Sequence, residues 1–389
     1  MKVAILGGGV AGVSSAIALK QKGFDVSIYE RHQFASNIGA GIVLWPNATY
    51  VLQQLGVLSE IEAVSGHPAR MRRVTSANEE LGAINIETIN SHMGHSSLSI
   101  LRSDLQNILI SKLESLGISI HYNHSVTGIG TKNPSQAEVH FQNGLKITAD
   151  VLIGADGRMA SHSRLFVHRD NTPVYQDFIN WVGVFQSKEE IFKEIAVSDF
   201  WGVGERFGIV TITKHKAYWA GGIQSADIGP KNQAKYKSEL SSIFSDWPQP
   251  IQMMIDHTPV ERINKIYVHD HDPIQTWHRN NLIVIGDAAH ASLPTSGQGA
   301  CQALEDAWHL ANILNDNQHD LQKAFVKFTN IRFKKTSGMV MAARSFASSL
   351  FNRDEKFCQE RNENNKKTDF SKVATSIAEG WSQHLPLNA

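Results

Sequence analysis

Short apolar runs alternate with helical stretches at the start of the chain. Residues 3–6 predict a buried parallel strand, residues 10–22 predict a helix that stops at Gly23, and residues 25–30 predict a second strand. Residues 103–116 place Leu and Ile at helical spacing behind a candidate cap, Ser103. Later elements of the same kind are the strands 151–153 and 282–285 and the helix 300–314. This alternation is typical of an α/β domain built on a parallel sheet.

Residues 172–273 follow a different pattern. Aromatic and β-branched positions dominate there, and they predict the strands 178–185, 198–201, 207–213 and 217–223. Only residues 228–242 predict a helix between them, so we expect a larger, mostly antiparallel sheet that forms the wall of a pocket. Past Lys334 an apolar stripe predicts a helix. The charged, Asn-rich residues 353–372 are expected to be mobile or to cover the pocket entrance.

A glycine-rich motif, residues 7–12, joins the first strand to the first helix. Gly7 suits the tight turn, Gly9 lets the backbone approach a pyrophosphate, and Gly12 lets the helix pack closely on the sheet. The helix N-terminus supplies N–H groups and positive dipole to phosphates. Glu30 ends the second strand, where an acidic group should bind a ribose hydroxyl. The cofactor-binding residues predicted from this segment are Gly7, Gly9, Val10, Ala11, Gly12, Glu30 and Arg31.

Two further motifs also follow apolar strands. Residues 154–157 read Gly-Ala-Asp-Gly, and residues 286–290 read Gly-Asp-Ala-Ala-His. In this order the three motifs predict FAD as the ligand. A loop then leads into the helix 300–314, whose N-terminus would stabilise negative charge on reduced flavin. The cofactor-binding residues predicted from these segments are Asp156, Asp287, Pro294, Gly297, Gly299 and Ala300.

Two other positions are candidate cofactor contacts. Residues 36–46 form a predicted loop in which Gly41 could bring backbone against a flat ligand. Arg102 directly precedes the candidate cap Ser103. The sequence leaves two interpretations of Arg102 open. Its guanidinium is either solvated, or it reaches a phosphate or the flavin edge.

Composition narrows the classes of function. The 37 basic and 37 acidic side chains balance, so no overall field favours nucleic acid or an anionic membrane. Cys301 and Cys358 are too few and too far apart for a disulfide framework or a zinc site, which fits a reducing, cytoplasmic setting. Glycines and serines interrupt the uncharged stretch 3–19, so we expect no membrane-spanning segment.

The ordered motifs, from residue 1 to about residue 345, resemble those of the group A flavoprotein monooxygenases, the single-component aromatic hydroxylases related to p-hydroxybenzoate and salicylate hydroxylases. The resemblance implies that Asp287 binds the ribityl chain of FAD, Glu30 the adenosine ribose, and Arg102 the cofactor near its pyrophosphate or ribityl. It associates Asp156 with both FAD and the NAD(P)H pyrophosphate. Ser161 and Arg164 lie one position later than the family pattern, in a segment similar to the tetracycline-modifying branch, and their roles stay open.

The resemblance also implies a reaction. NAD(P)H reduces FAD, and a flavin C4a-hydroperoxide then hydroxylates a small aromatic or polycyclic compound with oxygen from O2. Alternatives are a flavin epoxidase, an antibiotic-inactivating hydroxylase of the tetracycline type, or a non-catalytic FAD-binding redox protein. A plain NAD-dependent dehydrogenase would not need the Gly286-Asp287 motif. The substrate, the choice between NADH and NADPH, and the oligomeric state stay open.

Arg206 and Tyr218 are the catalytic candidates. Their spacing is similar to that of an Arg and a Tyr that face flavin and substrate in urate hydroxylases. An Arg could polarise the flavin or bind an anionic substrate, and a Tyr could bond or deprotonate a phenol. The alternative is a surface pair of Arg206 with Glu205 and a simple strand aromatic at position 218.

Two histidine-containing segments are predicted to have no catalytic role. Residues 269–272 read His-Asp-His-Asp and place two imidazoles on one face of an extended segment. We interpret them as a solvated loop, and no metal site is predicted anywhere in the chain. His290 is expected to serve packing and not to act as a base.

The predicted architecture is an α/β fold. A Rossmann-like FAD-binding domain is interleaved with a substrate domain on a mostly antiparallel sheet, and helices follow at the C-terminus. The discontinuous FAD-binding domain is predicted to comprise residues 1–71, 101–171 and 273–335. The substrate-binding domain comprises 72–100 and 172–272, and the C-terminal helical segment 336–389.

Overall fold

The computed structural model describes residues 1–35, 41–133 and 135–387 of the 389-residue chain. The strands are β1 Lys2–Leu6, β2 Asp25–Tyr29, β3 Gly41–Leu44, β4 Arg70–Thr75, β5 Glu80–Asn85, β6 Leu98–Leu101, β7 Ile120–His121, β8 Val126–Asn133, β9 Gln136–Phe141, β10 Lys146–Ala149, β11 Val151–Gly154, β12 Val174–Gln186, β13 Ala196–Trp201, β14 Glu205–Thr213, β15 Lys216–Gln224, β16 Asn264–Asp270, β17 His278–Arg279 and β18 Leu282–Val284.

The helices are α1 Val10–Gln21, α2 Pro46–Gln54, α3 Leu58–Glu62, α4 Ile86–Met93, α5 Arg102–Ser115, α6 His162–His168, α7 Tyr236–Ile243, α8 Gln249–His257, α9 Asp287–His290, α10 Gly299–Asp316, α11 Leu321–Leu350, α12 Glu355–Lys366 and α13 Phe370–Ser382. Short 3₁₀ turns lie at Gln233–Lys235, Val260–Arg262 and Pro294–Ser296.

A six-stranded sheet gathers the three sequence motifs at one edge. Its strand order is β17-β18-β11-β1-β2-β7, and all neighbours run parallel except β17 with β18. The apolar strand residues at its centre are fully buried, as the continuous apolar runs predict. Because β1, β11 and β18 are parallel, their carboxyl ends share one edge, and all three motifs begin there.

A seven-stranded sheet forms the second layer, in the order β16-β12-β15-β14-β13-β4-β5. Its pairs are antiparallel except β13 with β4. One face buries an aromatic core with α7 and α8 that includes Trp181, Trp219, Phe207 and Phe244. On the opposite face Tyr218 lies against Gly41 at the start of β3. Alternation of side chains along β14 and β15 thus separates a packed face from a face turned toward the first layer.

Several local predictions are wrong. Of the predicted loop 36–46, residues 36–40 lie outside the described residues, while Gly41–Leu44 is a strand paired with Leu98–Leu101. Helix α5 begins at Arg102 with Leu101 as its N-cap, so Ser103 lies inside the helix and does not cap it. The sequence also missed helix α8.

The C-terminal part of the chain is ordered helix. Glu355–Lys366, within a segment expected to be mobile, folds as α12, and the Asp354 side chain caps it by accepting from the N–H of Phe357. The predicted helix past Lys334 belongs to α11, which already begins at Leu321. The α/β fold with C-terminal helices is confirmed. Across the described ranges, none of the helices is long and apolar enough to cross a membrane.

Candidate active site

The turn between β1 and α1 has the geometry that its glycines predict. Gly7 has φ +112°, and a Cβ there would lie 2.2 Å from the carbonyl oxygen of Ala155. A Cβ on Gly12 would lie 1.9 Å from the carbonyl oxygen of Gly7, whereas one on Gly9 would meet nothing within 4 Å. Gly9 is the N-cap of α1, and no side chain of the described residues caps this end, so the first N–H groups, at Val10 and beyond, can bind a ligand.

Glu30 closes the other side of this turn. Its carboxylate accepts from the N–H of Gly8 at 2.7 Å and from the N–H of His32 at 2.9 Å. Beside it lies a cleft of about 290 Å³ whose lining includes Gly7, Glu30, Arg31, Asp156 and Gly157. The structure therefore brings the first two motifs to one cleft.

The carboxylate of Asp156 accepts hydrogen bonds from its own chain. Its carboxylate accepts from the Ser161 hydroxyl at 2.5 Å and from the N–H of Ser163 at 3.0 Å. Burial raises the pKa of Asp156 above its usual value, although these hydrogen bonds oppose the rise. Ser161 also caps α6 by accepting from the N–H of Arg164. Ser161, which lies one position later than in the family pattern, is therefore the N-cap of α6.

Arg164 connects the second motif to the third. It is buried, and its guanidinium donates to the carbonyls of Ala288, Ala289 and Asp272. Arg158 makes a second link, because its Nη1 lies 3.4 Å from Asp287 Oδ2. The Nε of Arg158 is buried without a hydrogen-bond partner in the described structure. Sequence reasoning missed Arg158, although it directly follows Gly157.

Arg102 is exposed at the first position of α5. One helical turn later, Gln106 donates from Nε2 to the carbonyl of Gly8 at 2.7 Å. Residues four apart share a helix face, so Arg102 faces the glycine turn. The sequence had not indicated Gln106, whose only signal was its spacing from Arg102.

The loop before α10 approaches β3. Pro294 opens a 3₁₀ turn, and Gly297 closes it in the left-handed region at φ 60°. Its carbonyl accepts from the Trp45 indole N–H at 3.0 Å. Helix α10 begins at Gly299 and Ala300, within one residue of the predicted start. The Cys301 thiol lies 3.7 Å from the carbonyl of Val43 on β3, so the N-terminus of α10 lies beside that strand.

A group of buried charged side chains, Glu305, Asp306, Arg332 and Lys335, lies behind this loop, and we call it the charge cluster. Arg332 donates to Asp306 Oδ1 at 2.7 Å and to Glu305, and Lys335 donates to both Glu305 oxygens. Asp306 Oδ2 accepts from the N–H of Gly286 at 2.8 Å. All four carboxylate oxygens of the cluster therefore have donors.

The charge cluster fixes the third motif. The ring of His290 lies 2.6 Å from Asp306 Oδ2, which supports the expected structural role of His290. Burial alone would raise the pKa of Asp306, but His290 and Arg332 hold it well below its usual range. Sequence reasoning missed this cluster. The available signal was the pair Glu305-Asp306 inside an otherwise apolar helix.

The catalytic candidates Arg206 and Tyr218 lie on the face of the seven-stranded sheet that is turned toward β3. Arg206 Nε donates to Asp199 Oδ1 at 2.6 Å, so its ion pair is with Asp199 and not with Glu205. Tyr218 lies against Gly41, where an added Cβ would lie 2.1 Å from the Tyr218 ring. Burial raises the pKa of Tyr218 well above its usual value, although the charge of Arg206 opposes the rise. Arg206 and Tyr218 thus share one environment.

Residues 269–272 are not a solvated loop, which corrects that prediction. Asp270 is fully buried and accepts two hydrogen bonds from Arg344, at 2.7 and 2.8 Å. A ring nitrogen of His271 lies 2.7 Å from the carbonyl of Arg158. Among the described residues, no group of three or more His, Cys, Asp and Glu side chains is placed to hold a metal ion.

The sequence matches a known protein family over most of its length. The family is described as the FAD binding domain, and it matches residues 1–320. The chain belongs to this family. It is an FAD-dependent monooxygenase, and NAD(P)H is the usual cosubstrate of such enzymes. The expected membership of the group A flavoprotein monooxygenases is confirmed.

Individual relatives span nearly the whole chain. An aurachin C monooxygenase/isomerase of Stigmatella aurantiaca is 29% identical over 351 residues, 87% of each chain. An FAD-dependent urate hydroxylase of Mycolicibacterium vanbaalenii is 28% identical over 348 residues, 88% of this chain and 87% of the relative. The crystal structure of Klebsiella pneumoniae HpxO with FAD and uric acid has a TM-score of 0.90 at 23% identity, covering 98% of this chain and 97% of the other. That likeness supports the fold.

Proposed function

We propose that this monooxygenase hydroxylates a small, planar heteroaromatic compound that binds as an anion. The observation that carries the proposal is the placement of Arg206 and Tyr218 on one sheet face, opposite β3 and the start of α10. The positive charge of Arg206 favours an anionic ring oxygen. Urate hydroxylases among the relatives act on a compound of this kind, which supports the choice.

The open space at Gly9 and the cleft beside Glu30 support FAD binding along this edge of the six-stranded sheet. We propose that Glu30 and Arg31 bind the adenosine end in the cleft, and that Gly7, Gly9 and Gly12 admit the pyrophosphate at the start of α1. The contacts proposed for the rest of the cofactor are Val10, Ala11, Arg102, Asp156, Asp287, Pro294, Gly297, Gly299, Ala300 and Gly41. Bound FAD supplies electron transfer from NAD(P)H and activation of O2.

Tyr218 is proposed as a hydrogen-bonding residue and not as a base. Its raised pKa keeps the phenol protonated at neutral pH, so it can donate to an anionic oxygen but cannot readily remove a proton. A substrate that is already ionised beside Arg206 needs no base. Asp199 positions the Arg206 guanidinium through its Nε and leaves the outer nitrogens for the substrate.

The test is anaerobic bleaching of the bound flavin by NADPH and then NADH. A panel of phenols, aromatic acids, purines including urate, and tetracyclines is added in turn. We expect one ionisable heteroaromatic compound to accelerate reduction sharply, and Arg206→Met to abolish that acceleration. Arg70→Met is the matched control, because Arg70 lies on the same sheet in an exposed pair with Glu194. Slow reduction with every compound would contradict the proposal.

A further inference from the structure

Three small residues lie in the middle of the sheet face that carries Arg206 and Tyr218. Strand register places Arg206, Gly222 and Asn180 in one row across β14, β15 and β12. The next row along the strands holds Gly208, Ala220 and Val182, and the one after it Val210, Tyr218 and Val184. We call the group Gly208, Ala220 and Gly222 the small-residue floor.

The two faces of this sheet differ in how completely they are covered. On the far face, Trp181 and Trp219 are essentially inaccessible. On the near face, Val182, Tyr218 and Ala220 all keep part of their surface accessible. Since these side chains alternate along the same strands, the accessible surface belongs to a space beside the small-residue floor. A planar ligand in that space would contact Tyr218 from one side.

Asn180 borders the floor and is 4% exposed. Its Oδ1 is buried, and no donor of the described structure reaches it. A Cβ on Gly222 would lie 2.2 Å from this Oδ1, so the amide lies directly across the bare backbone of Gly222. A buried polar atom without a partner costs about 1–3 kcal/mol, so a ligand that donates a hydrogen bond to Asn180 Oδ1 would recover that cost.

The position and the chemistry of Asn180 indicate which ligand group could form hydrogen bonds with its amide. Two strand spacings separate Asn180 from Arg206 in their row, which is about 10 Å between backbones. A side-chain amide carries one acceptor and two donors. Its complement on a heteroaromatic ring is a lactam edge, in which a ring carbonyl adjoins a ring N–H. The space directly above Gly222 is taken by the Asn180 amide and by Phe351. A ligand would therefore lie over Ala220 and Val182 in the next row, with Asn180 at one border and the Arg206 guanidinium, beside Gly208, at another.

We propose that Asn180 is a specificity-determining residue whose amide binds the lactam edge of the substrate. The inference rests on the proposed function, because it needs an aromatic substrate on the small-residue floor. Phe351, at the end of α11, closes the space above Gly222 and stacks on Phe178 with ring centroids 4.2 Å apart. This cover excludes water from the amide, which strengthens a hydrogen bond made there.

The experiment compares two probes of similar size on the FAD-loaded enzyme. 6-Hydroxynicotinate presents a lactam edge and a carboxylate, whereas 4-hydroxybenzoate has the carboxylate without the lactam. Binding is read from the perturbed visible spectrum of the bound flavin. We expect tighter binding of 6-hydroxynicotinate to the wild type. Asn180→Leu should weaken that binding about tenfold and leave 4-hydroxybenzoate unchanged.

A second readout separates recognition from a structural role. Because Asn180→Leu removes a buried unpartnered amide, the thermal midpoint should hold or rise. Asn47→Leu is the control. Asn47 also has a buried Oδ1 without a partner among the described residues, but its Nδ2 donates to Gln298 at 2.9 Å and to Glu305 at 2.6 Å, and loss of these two hydrogen bonds should lower the midpoint. A lower midpoint for Asn180→Leu, or equal effects on both probes, would overturn the proposal.

Failure of the inference and failure of the proposed function are distinguishable. If the wild type does not prefer 6-hydroxynicotinate, the lactam assignment is overturned, while accelerated flavin reduction by another anionic ring would leave the proposed function standing. If no compound of the panel accelerates flavin reduction, the proposed function itself is contradicted. A preference that survives in Asn180→Leu would assign recognition to a residue other than Asn180.

Discussion

The charge cluster and the border of the small-residue floor both hold polar side chains out of water, but only the charge cluster supplies their acceptor oxygens with protein partners. In the cluster, every oxygen of Glu305 and Asp306 accepts at least one hydrogen bond from the protein. At the border of the floor, the buried Oδ1 of Asn180 has no partner among the described residues. The cluster therefore holds backbone in place, and the floor keeps hydrogen-bonding capacity for a ligand.

The location of each region fits this division. Asp306 binds the N–H of Gly286 and so fixes the turn that presents Asp287. Lys335 extends the same network to α13 by donating to the carbonyl of Trp381 at 2.7 Å. The floor instead lies where Tyr218 meets Gly41, between the two layers. The charge cluster supports the proposed cofactor site. The unpartnered amide of Asn180 faces the proposed substrate site.

The largest effect is expected from breaking the charge cluster. Arg332→Met leaves Glu305 and Asp306 as buried carboxylates short of a countercharge, and such a loss costs about 3–5 kcal/mol. The free energy of unfolding in urea measures it. The FAD content should fall as well, because Gly286 and Asp287 lose their support. Unchanged stability would show that the cluster does not hold the fold.

Acid should weaken the same region. Burial, aided by the Arg332 charge, lowers the pKa of His309 to about 3, whereas an unfolded histidine titrates near 6.5. The unfolded chain therefore gains a proton at His309 that the native chain refuses, and the contribution of His309 to stability falls by about 1.4 kcal/mol per pH unit from about pH 6 to about pH 4. Asp306 has a lowered pKa, so its contribution is lost only at still lower pH.

The variant His309→Phe should flatten this slope, as measured by urea unfolding at several pH values. His319→Gln, at an exposed position in the turn after α10, is the matched control and should leave the slope as it is. An identical slope in wild type and His309→Phe would remove His309 from the explanation.

An intermediate effect is expected on the floor side. Tyr218→Phe removes the phenol that we propose to bind the substrate, and kcat/KM should fall about tenfold. Thermal stability should change little, because no protein group among the described residues bonds to that phenol. In an ultraviolet titration the wild type should show no ionisation of Tyr218 at neutral or mildly alkaline pH. A tyrosinate there would favour a base in place of a donor.

The smallest effect is expected outside both regions. Arg70→Met removes an exposed ion pair with Glu194, and such pairs contribute about 0–1 kcal/mol. Urea unfolding should place this variant within that range of the wild type, and flavin reduction should be unaffected. A larger loss of stability would contradict the view that burial makes the ion pairs of Arg332 stronger than that of Arg70.

Sequence predicted the glycine turn between β1 and α1 well because its signals are local. Gly7, Gly9 and Gly12 lie in one short turn between a strand and a helix, and that context is readable from neighbours. The start of α5 was predicted wrongly because Ser103 is a good cap in isolation, yet the helix begins one residue earlier. Local chemistry offers a cap, and tertiary packing decides whether it is used.

The remaining features depend on pairing between distant segments. Arg332 meets Asp306 only because α11 packs on α10, and Asp270 is buried only because Arg344 reaches it. Asn180 becomes a candidate only through strand register, which places it beside Gly222 and in the row of Arg206. No periodicity in one sequence reveals such rows across a sheet.

One pair of unfolding measurements tests the central claim most directly. The same substitution, Asn→Leu, is made at Asn47, whose Nδ2 donates to Glu305 of the charge cluster, and at Asn180, at the border of the small-residue floor. The thermal midpoints of the two FAD-loaded variants are then compared. We predict a lower midpoint for Asn47→Leu, and an equal or higher midpoint with weakened 6-hydroxynicotinate binding for Asn180→Leu. Equal losses of stability at both positions would contradict the claim that the charge cluster supports the fold while Asn180 serves to bind the substrate.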